Sequence, residues 1–188
     1  MECFSNRVEK YLLTLQKSIS VPTDISVLNP YINTDTINCC HSFYSNYYND
    51  NNKRFFLFGI NPGRLGAGLT GIGFTDPFHL SSICGIDNVL SKKKELSSSF
   101  IYEVIELYGG VELFLSKFFI TSICPLGFVK NNKNINYYDD KELLKSTESF
   151  IVKAMDLQIA LGAKQSASIC FGEGKNYKYF SKLNDKYQ

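Results

Sequence analysis

A short apolar run that breaks into Asn-Pro-Gly constrains the fold of this chain more than any other feature. Residues 55–60 read FFLFGI, and Asn61, Pro62 and Gly63 follow directly. An apolar run of this length bounded by turn residues predicts a buried strand. Proline cannot continue a strand's hydrogen-bond ladder and glycine tolerates unusual backbone angles, so the chain must turn here. Ligands of open α/β sheets bind beyond the carboxyl ends of the strands, which makes Asn61 a candidate functional residue.

The rest of the chain alternates between helical and strand patterns. Further strands are predicted at residues 118–123 and 167–171. Helices are predicted at about 6–18, around 43–48, at 98–107 and 112–117, from Asp139 or Asp140 to Gly162, and after Lys175. Strands separated by helices favour parallel pairing, so we predict an α/β fold, a three-layer α/β/α sandwich with a small parallel sheet.

Composition sets only broad limits on function. With 188 residues, of which 44% are hydrophobic, the chain is predicted to form a single domain with a real core. The net charge of +2 neither requires nor excludes nucleic acid. From Gly162 onward there are five lysines and two acidic residues, a modestly basic end that solvation alone also explains.

The cysteines do not form a metal-binding pattern. None of the six belongs to a Cys-x-x-Cys pair, and no histidine cluster has the spacing of zinc ligands. We therefore expect no metal and no organic cofactor. The N-terminus shows no signal peptide and no transmembrane pattern, so we expect a cytoplasmic monomer with reduced thiols and no membrane association.

Two glycine-rich segments invite nucleotide-binding interpretations. Residues 66–71, GAGLTG, fit the dinucleotide pattern G-x-G-x-x-G, but Gly71, Gly73 and Pro77 disfavour the helix that this pattern should open. Residues 172–175, GEGK, resemble part of a phosphate loop without its full spacing. The free N–H groups of a helix N-terminus could hold a DNA phosphate there, and a plain strand-to-helix turn is an equal alternative.

Several motifs, taken in order, resemble the uracil-DNA glycosylase superfamily. Residues 59–63, GINPG, precede a glycine-rich stretch and Phe74, and residues 118–128, FFITSICPLGF, are similar to the family strand that ends in Cys-Pro-Leu. Residues 28–31, 137–141 and 170–176 also match. The similarity is closest to the single-strand-selective monofunctional (SMUG) branch, particularly its bacterial second subfamily, and covers most of the chain from about Val27.

The resemblance implies a DNA glycosylase of base-excision repair that hydrolyses the N-glycosidic bond of a flipped-out deaminated base. It implies that Asn61 orients the attacking water and that Phe74 stacks on the base. Asp76 would either help activate the water or be a surface carboxylate. The implied base-binding residues are Ile60, Pro62, Gly63, Phe74 and Ser122, and the implied DNA-binding residues are Arg64, Gly66, Gly68, Gly174 and Lys175.

Two departures from the family pattern bear on activity. Ser122 stands where the SMUG branch commonly has an asparagine, and a hydroxyl cannot present both an acceptor and an amide donor pair to a base. The family's late His-Pro motif is not found, since neither His41 nor His79 precedes a proline. We therefore expect a C-terminally truncated domain over residues 1–188, with its last strand beyond Gln188. A DNA-binding pseudoenzyme and a nucleotide-binding α/β protein are the alternatives.

Overall fold

The computed structural model describes residues 2–187. Its elements, in chain order, are α1 (Phe4–Thr14), β1 (Ile25–Leu28), a 3₁₀ turn (Pro30–Ile32), α2 (Thr34–Tyr47), β2 (Arg54–Gly59), α3 (Ala67–Thr70), α4 (Pro77–Ser82), α5 (Leu96–Tyr108), α6 (Val111–Lys117), β3 (Phe118–Ser122), β4 (Gly127–Lys130), β5 (Lys133–Ile135), α7 (Lys141–Ala160), β6 (Ala163–Cys170) and α8 (Lys175–Asn184). Within this part of the chain, no helix is long and apolar enough to cross a membrane.

The predicted strand before Asn61 forms as β2, which is the central strand of a parallel sheet with the order β3-β2-β6. β2 pairs with β3 without interruption, from Phe55 opposite Phe118 to Gly59 opposite Ser122. Its pairing with β6 shifts between Arg54 and Phe56 and is regular beyond that point. The predicted α/β class with a small parallel sheet is confirmed. The strand predicted after Gln188 lies outside the described residues and stays a prediction.

A second, antiparallel sheet with the order β1-β4-β5 was not predicted from the sequence. Its strands have three or four residues each, too few for a clear alternation of apolar and polar side chains. A signal is nevertheless present at the turn between β4 and β5, where Asn131 and Asn132 have φ values of 50° and 59°. Paired asparagines with positive φ are typical of tight hairpin turns.

The predicted helices form, with shifted ends. α1 begins two residues earlier and ends four residues earlier than the predicted 6–18, and it buries Val8, Tyr11 and Leu12 on one face. α7 begins where the capping signal placed it, because the Asp140 side chain accepts hydrogen bonds from the N–H groups of Glu142 and Leu143. The long segment after Asn61, where no helix was predicted, contains the short helices α3 and α4.

A fully buried arginine joins four elements at the amino end of β2. The Arg54 guanidinium lies beside the stacked rings of Phe4 and Tyr48, with its carbon 4.7 and 4.6 Å from the ring centroids. It donates to both Asp50 carboxylate oxygens, at 2.9 and 2.7 Å, and to the carbonyl of Leu115 at 2.8 Å. The charge is thus paired and stacked, which is the condition under which a buried guanidinium is tolerated.

Replacing Arg54 by methionine should lower the free energy of unfolding by about 3 kcal/mol, because Asp50 and the Leu115 carbonyl lose their donor inside the fold. Urea denaturation measures the change. Lys10→Met is the matched control, since its pair with Glu2 is exposed, and it should cost less than about 1 kcal/mol. Equal effects of the two substitutions would contradict the assigned role of Arg54.

The ion pair of Arg54 and Asp50 predicts that the stability of the fold depends on pH. Partial burial raises the pKa of Asp50, but hydrogen bonds from Arg54 and the Asn52 backbone outweigh it, so the folded-state pKa lies below the usual value. A lowered folded-state pKa contributes stability above the unfolded-state pKa, and this is lost as the pH falls through the folded value. The stability advantage of the wild type over Asp50→Asn should therefore be complete above about pH 5 and shrink in more acidic urea melts.

Candidate functional site

The three parallel strands end at the same edge of the sheet. Gly59 at the end of β2 is opposite Ser122 of β3, and Phe58 is opposite Cys170 of β6. The segments that leave these strands therefore meet beyond Gly59. They carry most of the residues predicted to act on a ligand.

Asn61 is held in one orientation by the segment between β5 and α7. Its Oδ1 accepts from the Tyr137 N–H at 3.0 Å, and its Nδ2 donates to the Ile135 carbonyl at 3.3 Å. A carboxamide oxygen has two lone pairs and the nitrogen two hydrogens, so one acceptor site and one donor remain. The side chain is half-buried, and it can bind a water or a substrate group with a fixed polarity.

Phe74 lies against the end of β2 in a strained conformation. Its φ is 51°, a left-handed value that a bulky residue rarely adopts. A Cβ at Gly59 would lie 2.6 Å from Phe74 Cε2, so only glycine admits the ring at that position. Phe171 packs edge-on against it, with ring centroids 5.2 Å apart and planes at 67°. Phe74 remains half-buried and can offer a ring to a ligand.

Ser122 ends β3 opposite Gly59 of β2, and it is buried. Its carbonyl accepts from Gln158 Nε2 at 3.3 Å, which ties the end of the strand to α7. The next two backbone N–H groups, of Ile123 and Cys124, donate to the carbonyls of Gly59 and Ile60. These backbone contacts hold Ser122 next to the turn that follows β2.

Gly63, Gly66 and Gly68 permit close packing of the loop that follows Asn61. The Gly68 N–H donates to the Gly63 carbonyl at 2.9 Å, and a Cβ at Gly68 would lie 2.4 Å from that oxygen. Pro62 is buried, and a Cβ at Gly127 would come within 2.4 Å of its carbonyl. In this loop Arg64 is exposed and has no hydrogen-bond or ion-pair partner among residues 2–187.

The carboxyl group of Glu95, which was not a predicted site residue, lies on this loop. A Cβ at Gly66 would come 1.9 Å from Glu95 Oε2, and one at Gly63 would come 2.8 Å from Oε1. Burial raises the pKa of the Glu95 carboxyl, and hydrogen bonds from Ser97 and Ser98 offset this only in part. No motif in the sequence signals this contact, because Glu95 is separated from the loop by α3 and α4.

The glycine-rich segments do not form a dinucleotide-binding turn. α3 has four residues and ends at Gly71, where φ is 71°, so residues 66–71 do not open a long helix. The loop after β6 lies beside the β2 turn, since a Cβ at Gly172 would be 3.4 Å from Ile60 Cδ1. Gly174 and Lys175 begin α8 there, and both are exposed.

Asp76 does not reach the surface of the site. It is fully buried and caps α4, with Oδ1 accepting from the His79 N–H at 2.8 Å and paired with His79 Nδ1 at the same distance. Its Oδ2 accepts from the Glu95 N–H at 2.7 Å. The expectation of a surface carboxylate is therefore wrong. The contacts also give the water-activating role no support, because both oxygens already bind protein groups.

Neither histidine lies near Asn61. His41 is on α2, exposed, and its Nδ1 is 2.8 Å from Glu9 Oε1. His79 is buried beneath α5, where its ring stacks on Tyr102 with centroids 4.8 Å apart. The imidazoles are therefore paired with Glu9 of α1 and with Asp76 at the start of α4, and neither is a hydrogen-bond partner of Asn61.

The thiol nearest the β3 turn is unreactive. Burial raises the pKa of Cys124 to about 12, so it stays protonated at physiological pH and cannot serve as a thiolate nucleophile. Residues 2–187 also bring together no group of three His, Cys, Asp or Glu side chains that could hold a metal ion.

The candidate site does not lie in either of two large surface grooves. One groove of about 580 Å³ lies between α5, α6 and the end of α4. Another of about 520 Å³ lies between β6, α7 and α8. Neither groove is lined by Asn61 or Phe74. Asn61 was identified by its position after β2, and Phe74 by the resemblance.

Comparison with solved structures places this arrangement in a family. The chain is similar to the crystal structure of wild-type Pedobacter heparinus SMUG2, with 40% sequence identity and a TM-score of 0.94. The match covers 100% of this chain and 83% of that one. The chain belongs to the SMUG2 family of the uracil-DNA glycosylase superfamily. No protein-family model and no curated protein sequence matches it.

Membership of the SMUG2 family confirms the resemblance drawn from the sequence motifs. Tyr137, Phe171 and Asn176 also contact this edge and were not predicted as site residues. Their segments, residues 137–141 and 170–176, were part of the resemblance, but nothing in the sequence indicates that they meet.

Asp76→Asn should lower the free energy of unfolding by about 1–3 kcal/mol, because one backbone or imidazole N–H then faces an amide hydrogen in place of an oxygen. Thermal or urea unfolding measures the change, with the exposed Asp35→Asn as control. If Asp76 only caps α4, any DNA-base release by the folded variant should match that of the wild type. A large loss of release without loss of stability would instead restore a chemical role for Asp76.

Proposed function

We propose that this chain is a monofunctional DNA glycosylase that hydrolyses the N-glycosidic bond of a deaminated base, such as uracil or a deaminated purine. The observation that carries the proposal is the fixed amide of Asn61, two residues after Gly59, together with the half-buried ring of Phe74 that lies against Gly59, at the carboxyl end of the central strand of the parallel sheet. Membership of the SMUG2 family supports it.

The target base must leave the DNA stack before these groups can contact it. Extrusion costs a few kcal/mol and is easier for a mismatched or unpaired base. The face of Phe74 supplies a stacking surface, and the adjoining Ile60 and Pro62 supply apolar contacts. Ser122 would read one polar position on the base edge with its hydroxyl, a less specific contact than a carboxamide makes.

Bond cleavage leaves positive charge on the sugar and negative charge on the departing base. The free acceptor site of Asn61 Oδ1 can bind a water and direct an oxygen lone pair toward the anomeric carbon. The N–H groups of Asn61 and Gly63 have no acceptor among residues 2–187, so they are available to the base anion. Among residues 2–187 no histidine is hydrogen-bonded to Asn61, so we expect slow base release from this chain.

Phosphate contacts would come from the loops on either side of this site. Arg64 is exposed after the Asn61 turn, and Gly174 with Lys175 begins α8 beside Ile60. A cationic side chain and free helix N–H groups both bind phosphate. We propose a monomer that acts on DNA in the cytoplasm, with affinity that falls as salt rises.

The decisive test measures base release from oligonucleotides that carry uracil, hypoxanthine or xanthine, with protein in excess and alkaline cleavage of abasic sites. Wild-type release should depend on Asn61, and Asn61→Ala should slow it about 100-fold, because a water that is no longer oriented loses its near-attack geometry. DNA affinity should change little. The exposed Asn6→Ala is the control.

Three outcomes are distinguishable in this assay. Base release that Asn61→Ala abolishes supports the glycosylase. Binding to base-containing DNA without release by any variant identifies a DNA-binding pseudoenzyme. Release that is unchanged in Asn61→Ala would remove Asn61 from the mechanism.

Phe74→Ala should weaken binding to single-stranded DNA that carries a damaged base by about 1–3 kcal/mol, the usual contribution of one base–aromatic stack. Binding to abasic DNA should be nearly unchanged, because no base is present to stack. Phe78→Ala, in the neighbouring α4, is the control. Equal loss on both DNAs would mean that Phe74 supports the fold of the loop and does not contact the base.

A further inference from the structure

Tyr137 contacts Asn61 through its backbone and the opposite side of the site through its side chain. It lies between β5 and α7, and its N–H is the donor that holds Asn61 Oδ1. Its ring is fully buried, and its hydroxyl donates to Asn176 Oδ1 at 2.9 Å. Burial raises the pKa of Tyr137 far above its usual value, so the hydroxyl remains a donor at every physiological pH.

Asn176 connects the Tyr137 hydroxyl to the end of β6 through hydrogen bonds. It lies in the first turn of α8 and is fully buried. Its Nδ2 donates to the Phe171 carbonyl at 2.8 Å and lies 3.4 Å from Cys170 Sγ. Because Tyr137 occupies the amide oxygen and the end of β6 occupies the nitrogen, the Asn176 side chain has one orientation only.

Phe171 completes a continuous path to the base-stacking ring. Its N–H donates to the Phe58 carbonyl at 2.8 Å, which fixes its backbone to β2. Its ring meets Phe74 edge to face. A chain of contacts thus links Asn61 to Phe74 by way of Tyr137, Asn176 and Phe171. Its two ends are the residues proposed to orient the water and to stack on the base.

We propose that Tyr137 and Asn176 are positioning residues that fix the water-orienting amide of Asn61 relative to the ring of Phe74. Neither residue would touch the DNA. The inference rests on the proposed function and deepens it, because attack on the anomeric carbon requires water and base to be held in one geometry. A misplacement of about 1 Å far from the chemistry can cost roughly 100-fold in rate.

The same aromatic cluster contains a matched control. The Tyr179 ring packs against Tyr137 with centroids 5.2 Å apart, and its hydroxyl is also buried. That hydroxyl has no hydrogen-bond partner among the described residues. Tyr137→Phe and Tyr179→Phe therefore each remove one buried hydroxyl from one cluster, but only the first breaks the path to Asn61.

The experiment compares these two variants by NMR and by kinetics. The side-chain amide resonance of Asn61, assigned by its loss in Asn61→Ala, should shift or broaden in Tyr137→Phe and stay in place in Tyr179→Phe. Single-turnover base release should fall about 10-fold or more in Tyr137→Phe and remain within about twofold in Tyr179→Phe. Affinity for abasic DNA should be equal in both.

Asn176→Ala tests the network as a unit. If the two side chains act together, the Tyr137→Phe/Asn176→Ala double variant should release base no more slowly than the worse single variant. Rate losses that multiply would overturn the coupling. An Asn61 resonance that is unchanged in Tyr137→Phe would overturn the positioning role.

The two readouts separate this inference from the proposed function. If no variant releases base, the proposed function fails, while the Asn61 resonance still reports whether Tyr137 holds that amide. If the wild type releases base and Tyr137→Phe matches it, the function stands and the positioning role is wrong.

Discussion

The parallel pairing of β2 with a strand on each side is the constraint on which the site depends. β2 is hydrogen-bonded to β3 and β6, so all three strands end at one edge of the sheet. A slip of one residue would turn the side chains of a strand to the opposite face. Asn61, Ser122 and Phe171 are distant in sequence and meet only because this register holds.

Buried polar groups in this protein serve mainly to fix geometry. Arg54 with Asp50, and Asp76 with His79, are pairs whose hydrogen-bonding groups face other protein groups. A charged residue near a glycine-rich loop is easily assigned to chemistry from sequence, but partners in the folded chain decide its role. Asn61 differs because its amide keeps one donor and one acceptor free after its protein contacts are counted.

The sequence predicted the parallel sheet and the main helices because their signals are local. Apolar runs, a proline after a strand and an aspartate before a helix each act within a few residues. The antiparallel sheet escaped prediction because strands of three or four residues carry little periodicity. The burial of Arg54 was not predicted, because it depends on the Phe4 and Tyr48 rings and on the Leu115 carbonyl, which come together only in the fold.

Candidate site residues could be proposed from sequence where motifs are local, and not where contacts cross the fold. Asn61 was singled out by its position after a strand, and Phe74 and Ser122 by the resemblance. Asp76 was misplaced because its partners, His79 and the Glu95 backbone, come together only through α4. Tyr137, Asn176 and Glu95 could not be found, since no periodicity or spacing encodes side chains that meet from separate loops.

The left-handed backbone of Phe74 has a consequence for how this protein can evolve. Such a conformation in a bulky residue is unfavourable by about 1–3 kcal/mol, and glycine or asparagine would relieve it. Relieving the strain in this way would remove the aromatic ring from this position. Stability-guided redesign of this protein should therefore leave position 74 untouched.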